Sequence, residues 1–424
     1  MEVTALWIVI AVAVTALAVL LALNLSSRQL SVERRIEHLY DTHDPQFARA
    51  MGSLLGPALV GGNLVTVLKN GDRIFPAMLE GIRGARSTIS FETYIYWSGE
   101  IGREFAEALS ERARAGVAVH VLLDWLGTGK LDADLIRAME DAGVAVLKYH
   151  PLRWYTLGRL NNRTHRKLLV VDGRIGFTGG VGIADEWRGD AQDPEHWRDT
   201  HFRIEGPVVA QMQAAFMDNW IETRAEVLHG EEYFPALPPV GPHCAQLFQS
   251  SSNGGSESVR LMYLMSIAAA ARSIRLANAY FVPDDLAVRL LAEASRRGVQ
   301  VEVVLPGRHI DFKVVRRASR ARWGRLLEAG VAIYEFQPTM YHAKVMIVDD
   351  LWVSVGSTNF DSRSFRLNDE ANLNLLDADL AAELSGHFEE DKRRSRRITL
   401  EEWRARPWRE KAHDRLAALI RSQL

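Results

Sequence analysis

The sequence predicts an α/β protein made of two tandem halves with pseudo-two-fold symmetry, preceded by one N-terminal transmembrane helix. Two observations predict the halves. The motif His-x-Lys-x4-Asp occurs at 165–172 and again at 342–349, and the segments around both copies repeat in the same order. A third observation, an apolar run that begins at residue 3, predicts the transmembrane helix. Two copies of a motif in register indicate a duplicated unit, whereas one copy could arise by chance.

The composition is that of a folded protein with two or three domains. The 424 residues are 47% hydrophobic and 25% charged, as in ordinary globular proteins, and the length allows each domain a core of its own. A net charge of −2 gives no overall positive field that would favour nucleic acid. Cys244 is the single cysteine, so an intramolecular disulfide is impossible, and this fits a reducing compartment.

The first residues predict a membrane anchor at 1–27 and a juxtamembrane helical segment at 28–59. No charged residue occurs from Val3 to Leu23, and an α-helix of that length measures about 31 Å, enough to cross the apolar core of a bilayer. A cleaved signal peptide is the alternative, but it would begin with basic residues. Arginines follow the run and none precedes it, so the positive-inside rule places the body in the cytoplasm.

The order of segments predicts helices layered on a mixed sheet in each half. In the first half the segments are an apolar strand that ends at residue 95, a helical pattern at 105–114, strands at 116–123 and 144–146, and the motif hairpin. Their counterparts end at residue 281 and lie at 286–297, 298–305 and 331–333. The order β-α-β-α-β-β-β-α is typical of α/β layers. Two such sheets side by side would bring both motifs to a central seam, where ligands commonly bind.

Proline-rich residues separate the two halves. We place the first domain at 60–232, a linker at 233–245 and the second domain at 246–390, because prolines break both helices and central strands. A Ser- and Gly-rich segment at 250–255 predicts a loop, which is either a linker turn or a substrate-contacting loop.

A basic tail at 391–424 is the last predicted segment. Its arginines accompany Trp403 and Trp408, and tryptophan with arginine suits an anionic lipid interface. A solvated terminal helix explains the same residues equally well, so both interpretations stay open.

The motif residues predict a cationic site for a phosphate. Residues two apart on a strand lie on the same face, so His165 projects with Lys167, and His342 projects with Lys344. Where the halves meet, the imidazoles would supply a nucleophile and an acid, and the ammonium groups would bind phosphate oxygens. A protonated lysine has no lone pair, which argues against a metal site, and we expect no cofactor.

Asp172 and Asp349 complete the two motifs. Asp172-Gly173 predicts a tight hairpin turn after the motif strand. We include both aspartates among the candidate catalytic residues as parts of the motif, and we expect them to brace the structure.

The two motifs resemble the signature of the phospholipase D superfamily, and their surroundings are most similar to bacterial cardiolipin synthases. The segments that carry the resemblance lie at 92–95, 159–167, 197–201, 356–365 and 367–370. The resemblance covers about residues 60–424, and its motifs are specific. It implies two phospholipase D-like α-β-α domains in a single-pass protein of the bacterial inner membrane, with the catalytic body on the cytoplasmic side.

The resemblance also implies roles for the motif residues. His165 would attack phosphorus and form a phosphohistidine. His342 would protonate the leaving alcohol and then deprotonate the incoming one. Lys167 and Lys344 would hold the non-bridging oxygens. Arg163 and Arg166 either contact lipid phosphates or lie on a solvated face.

Four further residues are candidates for supporting roles. Asn359 would donate a hydrogen bond to the phosphate, and Ser357 belongs to the same Gly-Ser-Thr-Asn segment. The first half has Gly182 where the family pattern has asparagine, which puts the corresponding donor in doubt. Asp199 and Glu370 are candidates to orient the imidazoles, and ordinary acids at strand ends are the alternative interpretation.

The activity that the resemblance implies is cardiolipin synthesis. A phosphatidyl group would pass from one phosphatidylglycerol to another and release glycerol, without a nucleotide. The expected partners are therefore phosphatidylglycerol, other anionic phospholipids and the membrane, but not nucleic acid, and the sequence identifies no protein partner. A phospholipase D hydrolase, or a phosphatidyltransferase with a different donor or acceptor, would use the same residues. A nuclease and a non-enzymatic membrane scaffold are further alternatives, against which the apolar run and the two intact motifs argue.

Overall fold

The computed structural model describes residues 2–25, 36–151, 161–251 and 258–424. Its first helix, α1, comprises Glu2–Leu25. Among the residues whose placement is described, no helix has both the length and the apolar character that a membrane crossing requires. The transmembrane helix therefore stays a prediction. Residues 28–35 of the juxtamembrane segment and the loop predicted at 250–255, apart from its first two residues, lie outside the described residues.

The described part of the juxtamembrane segment packs against the second half of the chain. It contains α2 (Pro45–Leu54), which begins with a side-chain cap from Asp44. Phe47 and Met51 are buried, and the Phe47 ring meets the edge of Trp352 with 5.0 Å between centroids. This segment is thus part of the second hydrophobic core.

The first half alternates strands with helices and places its motif on a hairpin. Its elements are β1 (Val60–Lys69), α3 (Gly71–Arg83), β2 (Thr88–Thr93), α4 (Glu100–Arg114), β3 (Ala118–Asp124), α5 (Ala133–Asp141), β4 (Ala145–Tyr149), β5 (Arg163–Thr164), β6 (Leu168–Val171), β7 (Ile175–Gly179), a 3₁₀ turn (Asp185–Trp187), β8 (Thr200–Glu205) and α6 (Val209–Arg224).

The second half repeats this order and then continues. Its elements are β9 (His243–Ser250), α7 (Ser258–Ala269), β10 (Ser273–Asn278), α8 (Asp285–Arg296), β11 (Gln300–Pro306), α9 (Lys313–Arg320), α10 (Trp323–Glu328), β12 (Ala332–Phe336), β13 (Lys344–Val348), β14 (Trp352–Gly356), α11 (Ser362–Arg366), β15 (Asn368–Leu376), α12 (Ala378–Arg393), β16 (Ser395–Ile398), α13 (Leu400–Ala405), α14 (Trp408–Leu419) and a 3₁₀ turn (Arg421–Gln423).

The strands of the two halves occupy equivalent places in the sheet. The order across the first half is β1-β8-β7-β6-β2-β3-β4, and across the second half it is β9-β15-β14-β13-β10-β11-β12. In each half the last three strands of this order pair in parallel, and the other neighbours are antiparallel. The mixed sheet and the duplication therefore agree with the α/β prediction.

The predicted order missed several elements, and three of them recur in both halves. β1 with α3, and β9 with α7, precede the first strand that the sequence indicated, and β8 and β15 follow the motif hairpins. β9 begins at His243, inside the predicted linker. β15 was missed because Asn368, Asp369, Glu370 and other polar residues occupy its buried positions, and such residues are rare in strands.

A paired edge and a shared core join the two halves. β1 pairs with β9 in antiparallel fashion, so the two sheets are continuous at this edge rather than only side by side. Apolar side chains from both sheets meet in one cluster, which includes Val170, Ile204, Ile347 and Leu373. Each such buried side chain contributes about 1.5–3 kcal/mol. The seam is thus a firmly packed base for a site.

Helices cover both faces of each sheet. α3 and α4 pack on the outer face of the first sheet, and α7 and α8 pack on the outer face of the second. α6 and α12 contribute buried residues to the shared core. Each half therefore has α-β-α layers.

The segment predicted as a tail at 391–424 is built into the second half. β16 pairs with β12, and α14 packs against α9. Lys392 of the basic cluster binds Glu302 at 3.0 Å. The indole N–H of Trp403 donates to the carbonyl oxygen of Arg320 at 2.8 Å. Much of this segment therefore serves the fold.

Candidate active site

The backbone of the opposite half holds each motif histidine. β5 pairs in parallel with β15, and the amide nitrogen of His165 donates to the carbonyl oxygen of Asp369 at 2.8 Å. The amide nitrogen of His342 donates to the carbonyl oxygen of Arg198 at 2.7 Å. Both histidines are therefore fixed at the seam between the halves.

Both motif lysines lie where a central strand begins. β6 starts at Leu168, directly after Lys167, and β13 starts at Lys344 itself, so the histidines precede the strands that were predicted to contain them. Each lysine still lies beside its histidine: Lys167 Nζ is 2.9 Å from the carbonyl oxygen of His165, and Lys344 Nζ is 2.6 Å from that of His342. All four residues are more than nine-tenths buried.

A carboxylate from the opposite half binds each imidazole. Glu370 Oε2 lies 2.9 Å from Nδ1 of His165, and Asp199 Oδ2 lies 2.7 Å from Nδ1 of His342. Both acids are predicted orienting groups, but nothing in the sequence showed that the pairing crosses between the halves. An Nδ1–H that donates to a carboxylate leaves the lone pair on Nε2, which is the nitrogen that a nucleophile or a base requires.

Burial keeps both imidazoles neutral at neutral pH. It lowers the pKa of His165 to about 4, and burial together with the Lys344 charge lowers the pKa of His342 to about 3. Burial by itself raises the pKa of Glu370, but the interactions with His165 and Lys167 outweigh it and bring that pKa to about 2. Each pair is thus a neutral imidazole beside a charged carboxylate.

The two lysines make the site cationic and couple the two motifs. Burial lowers the pKa of Lys167 to about 7 and that of Lys344 to about 8. The charge of Lys344 also lowers the pKa of His165, and the charge of Lys167 lowers that of His342. These interactions across the seam mean that the motifs form one site. A bound phosphate anion would favour both ammonium forms and raise both imidazole pKa values.

In the second half, the Gly-Ser-Thr-Asn segment supports the site. The hydroxyl of Ser357 donates to Glu370 Oε2 at 2.5 Å. Asn359 is buried, and its side-chain oxygen has no hydrogen-bond partner among the residues that the structure describes. Because that oxygen is an acceptor, the donor role of the Asn359 amide toward a phosphate stays a prediction.

In the first half, an indole takes the place of the serine hydroxyl as the donor to the carboxylate. The N–H of Trp187 donates to Asp199 Oδ2 at 2.9 Å, and the ring meets His342 edge-on with 5.2 Å between centroids. A Cβ at Gly180 would lie 2.3 Å from Asp199 Oδ1, and one at Gly182 would lie 2.8 Å from Ile95 Cβ and 3.3 Å from the Trp187 ring. Gly180 thus makes room for the carboxylate, and Gly182 makes room first for Ile95 and then for the edge of the indole. Trp187 was not predicted from the sequence, in which the glycines at positions 180 and 182 were the available signal.

Two further rings face the imidazoles. Tyr94 lies edge-on to His165 with 5.3 Å between centroids, and Trp197 is tilted against His342 at 5.6 Å. In the sequence, both were only members of the resembling segments. Their rings narrow the space around the imidazoles.

Asp172 and Asp349 lie at the far ends of the motif strands. Asp172 accepts from the backbone N–H groups of residues 86–88 at 2.7–3.1 Å, and Asp349 accepts from those of residues 271–273 at 2.7–2.9 Å. The two aspartates therefore brace the hairpins, as expected. A whole strand separates each aspartate from its motif lysine, and a catalytic role for the two aspartates stays a prediction.

Arg163 and Arg166 are buried, so the solvated-face interpretation was wrong, and contact with a lipid phosphate stays a prediction. The guanidinium of Arg166 donates to the carbonyl oxygens of Ala215 and Ser250 at 2.7 and 2.9 Å. Nη1 of Arg163 donates to the carbonyl oxygen of His150 at 3.2 Å. Both arginines support the segment that carries His165.

The chain matches a protein family and curated relatives. The family model "Cardiolipin synthase, PLD-like domain" matches residues 78–220 and 263–392, which include both motifs. Cardiolipin synthase 2 of Bacillus anthracis is 36% identical over 80% of this chain, which spans 66% of that protein, just under two thirds. Cardiolipin synthase A of Pseudomonas fluorescens is 34% identical over 88% of this chain and 77% of its own length.

Solved structures share the fold. Phosphatidylserine synthase of Haemophilus influenzae covers 89% of this chain and 100% of its own, with a TM-score of 0.70 and 14% identity. Polyphosphate kinase of Porphyromonas gingivalis covers 88% of this chain and 52% of its own, with a TM-score of 0.54 and 13% identity. At these identities the likeness concerns the fold alone.

Proposed function

The chain belongs to the cardiolipin synthase family of the phospholipase D superfamily, and from this premise we propose that it converts two phosphatidylglycerol molecules into cardiolipin and glycerol. One observation carries the proposal: two buried imidazole–carboxylate pairs and two lysines form a single site at the seam of the halves. Such a site suits two successive displacements at phosphorus.

In the first displacement, Nε2 of His165 attacks the phosphorus of one phosphatidylglycerol. The P–N bond forms as the P–O bond to glycerol breaks, and the departing oxygen takes a proton from His342. The phosphodiester anion raises the pKa of His342 and so lets it carry that proton. Glu370 stabilises the charge that develops on His165, while Lys167 and Lys344 bind the non-bridging oxygens.

In the second displacement, the hydroxyl of another phosphatidylglycerol attacks the phosphohistidine. His342, now neutral, takes the hydroxyl proton as the new P–O bond forms and the P–N bond to His165 breaks. Cardiolipin leaves, and both histidines return to their starting forms. A second lipid bound beside the intermediate has a far higher effective concentration than a free alcohol, which favours transfer over hydrolysis.

The same proposal gives α1 the role of a single membrane anchor, with the body on the cytoplasmic side of a bacterial inner membrane. Leu6, Trp7, Ile8 and Val9 are each more than 60% exposed on this helix. Exposed apolar side chains in a continuous run favour an apolar medium such as the core of a bilayer. An anchor there would keep the site close to its lipids.

Liposome-reconstituted protein given labelled phosphatidylglycerol, without nucleotide or metal, tests the activity. We expect cardiolipin and glycerol in equal amounts by mass spectrometry, and their absence in His165→Ala. His229→Ala is the matched control, because His229 is exposed and lies in the segment after α6.

The outcomes separate the candidate functions. Phosphatidic acid in place of cardiolipin would mean that water is the acceptor, and the protein would then be a phospholipase D. Cardiolipin formation that survives in His165→Ala would remove this site from the reaction.

A further inference from the structure

The outer face of α14 is apolar and exposed. Trp408, Leu416 and Leu419 are 73%, 63% and 77% exposed, and Ile420 directly follows the helix. Residues spaced three or four apart share a helix face, so 408, 412, 416 and 419 form one stripe. Several large apolar side chains this exposed on one face mark a surface that something covers.

The charges of α14 are divided between its two faces. Both of its acidic residues are paired with arginines of the body: Asp414 is buried against Arg406, and Glu410, half exposed, binds Arg320 at 2.7 Å. Outward, the guanidinium of Arg409 lies 5.7 Å from the centre of the Trp408 ring, and Arg415 is exposed. An outer face of apolar side chains with arginine is the composition of a helix that lies on anionic lipid. A second copy of the same face would instead bring like charges together.

The segment that contains α14 lies beside the active site. Ala417 on its inner face belongs to a cluster against which Trp197 packs, and Trp197 is tilted against the His342 ring at 5.6 Å. Just beyond the helix, Gln423 Oε1 accepts from the side chain of Asn161 at 2.9 Å. Asn161 precedes the first motif histidine by four residues, so this segment touches the surroundings of both motifs.

We propose that the outer face of α14 lies on an anionic phospholipid bilayer and holds the active site at the level of the headgroups. Phe312, the residue before α9, is another exposed apolar side chain at 59%, and α9 packs against α14. An anchor at α1 would tether the body without orienting it, whereas α14 fixes its orientation. Only the statement that the contact serves catalysis rests on the proposed function. The lipid contact itself is argued from α14.

A nitroxide label on the full chain tests the contact. Cys244→Ser removes the native cysteine, Leu419→Cys places the label on α14, and Val227→Cys is the control on another surface, where Val227 is 58% exposed. In vesicles of phosphatidylglycerol and phosphatidylcholine, the label at 419 should collide with dissolved oxygen rather than with a water-soluble nickel complex. We expect its oxygen-to-nickel collision ratio to exceed that of the control by about threefold or more.

Three outcomes decide the proposal. A label at 419 that reaches the nickel complex as freely as the label at 227 would overturn it. A label at 419 that is already shielded in detergent, without vesicles, would mean that protein covers the face, and this would also overturn it. Lipid contact in a protein without synthase activity would support α14 as the docking surface and defeat only the proposed function.

Activity gives a second measurement that does not depend on labelling. In the double variant Leu416→Glu, Leu419→Glu, the ratio of activity on anionic vesicles to activity on detergent micelles should fall about tenfold, because anionic lipid repels both new carboxylates. Leu54→Glu on α2 is the matched control, because Leu54 is 66% exposed. An unchanged ratio in the double variant would contradict the proposal even if the control behaved as expected.

Discussion

The two halves hold their histidines in the same way but complete the two sites with different residues. In each half, a carbonyl oxygen and the next residue's carboxylate, both from the opposite half, bind the histidine. The carboxylate beside His165 accepts a hydrogen bond from the hydroxyl of Ser357, whereas the carboxylate beside His342 accepts one from the indole N–H of Trp187. The duplication has thus kept the charged groups, and the neutral residues that position them have diverged.

This divergence gives the two imidazoles unequal surroundings. His342 lies against two indoles, those of Trp187 and Trp197, while His165 faces the phenol ring of Tyr94. Burial lowers both imidazole pKa values, to about 3 for His342 and about 4 for His165. A nucleophile and an acid–base group need different environments. Different catalytic roles for His165 and His342 would therefore account for their different surroundings.

The largest expected effect comes from removing either histidine, and the two variants should fail at different steps. Both His165→Ala and His342→Ala should lose about 10³-fold or more in turnover. With phosphatidylglycerol labelled in its phosphatidyl group, only His342→Ala should retain label on the protein. It keeps the nucleophile, so the phosphohistidine still forms, more slowly without its acid, and it lacks the base that completes the transfer. Acid-labile label is measured after rapid quenching. Label on His165→Ala instead would exchange the two roles.

The orienting carboxylates should show the same asymmetry with a smaller effect. Glu370→Gln and Asp199→Asn should each lower kcat by about 10²-fold, because an amide stabilises a developing imidazolium poorly. In single-turnover experiments, Glu370→Gln should slow mainly the formation of the phosphohistidine, whereas Asp199→Asn should slow both its formation and its breakdown, because His342 acts as acid in the first step and as base in the second. Asp379→Asn, on an exposed turn of α12, is the matched control. Equal slowing of both steps by both variants would remove the division of labour.

The crossed pairing of these carboxylates explains what the sequence could and could not predict. The His and Lys pairs were predictable because each motif is a local pattern that occurs twice in register. Glu370 reaches His165 only because β15 pairs with β5, and Asp199 reaches His342 only through the bridge between Arg198 and Tyr341. A local sequence pattern does not predict a contact between strands that lie more than a hundred residues apart in the chain.

The supporting residues were harder to predict for a different reason. Trp187 is 1% exposed, and a buried tryptophan in a sequence is most simply interpreted as a core residue. Gly180 leaves the space that the Asp199 carboxylate occupies, and Gly182 leaves space for Ile95 and for the edge of the indole. The departure of Gly182 from the family pattern was visible in the sequence, but the residue that accommodates it was not.

The lysines should set the alkaline limit of activity, with the first half titrating before the second. Burial lowers the pKa of Lys167 to about 7 and that of Lys344 to about 8. As pH rises through about 7, Lys167 loses the charge that binds phosphate, so kcat/KM should fall by about tenfold per pH unit. In Lys167→Arg the guanidinium stays charged, so the plateau of kcat/KM should extend to about pH 8, where Lys344 loses its charge. The profile of kcat/KM from pH 5 to 10 checks this, and an unchanged alkaline limb in Lys167→Arg would refute the assignment.

The smallest expected effect concerns the neutral donors, where the two halves differ most. Trp187→Phe keeps an aromatic ring but removes the N–H that donates to Asp199. Ser357→Ala removes the hydroxyl that donates to Glu370. A hydrogen bond to a charged group contributes roughly 1.5–3 kcal/mol, so each variant should lose about tenfold in kcat if most of that energy is used in turnover.

The pKa of each imidazole distinguishes positioning from simple packing in these variants. A carboxylate that has lost a donor attracts an imidazolium more strongly, so Trp187→Phe should raise the pKa of His342 and leave that of His165 in place, as followed by NMR of labelled histidine. Ser357→Ala should do the reverse. Trp403→Phe is the matched control, since its indole also loses one hydrogen bond, to the carbonyl oxygen of Arg320. If Trp403→Phe shifted the pKa of His342 equally, the effect of Trp187 would be one of general packing, and the two halves would be equivalent after all.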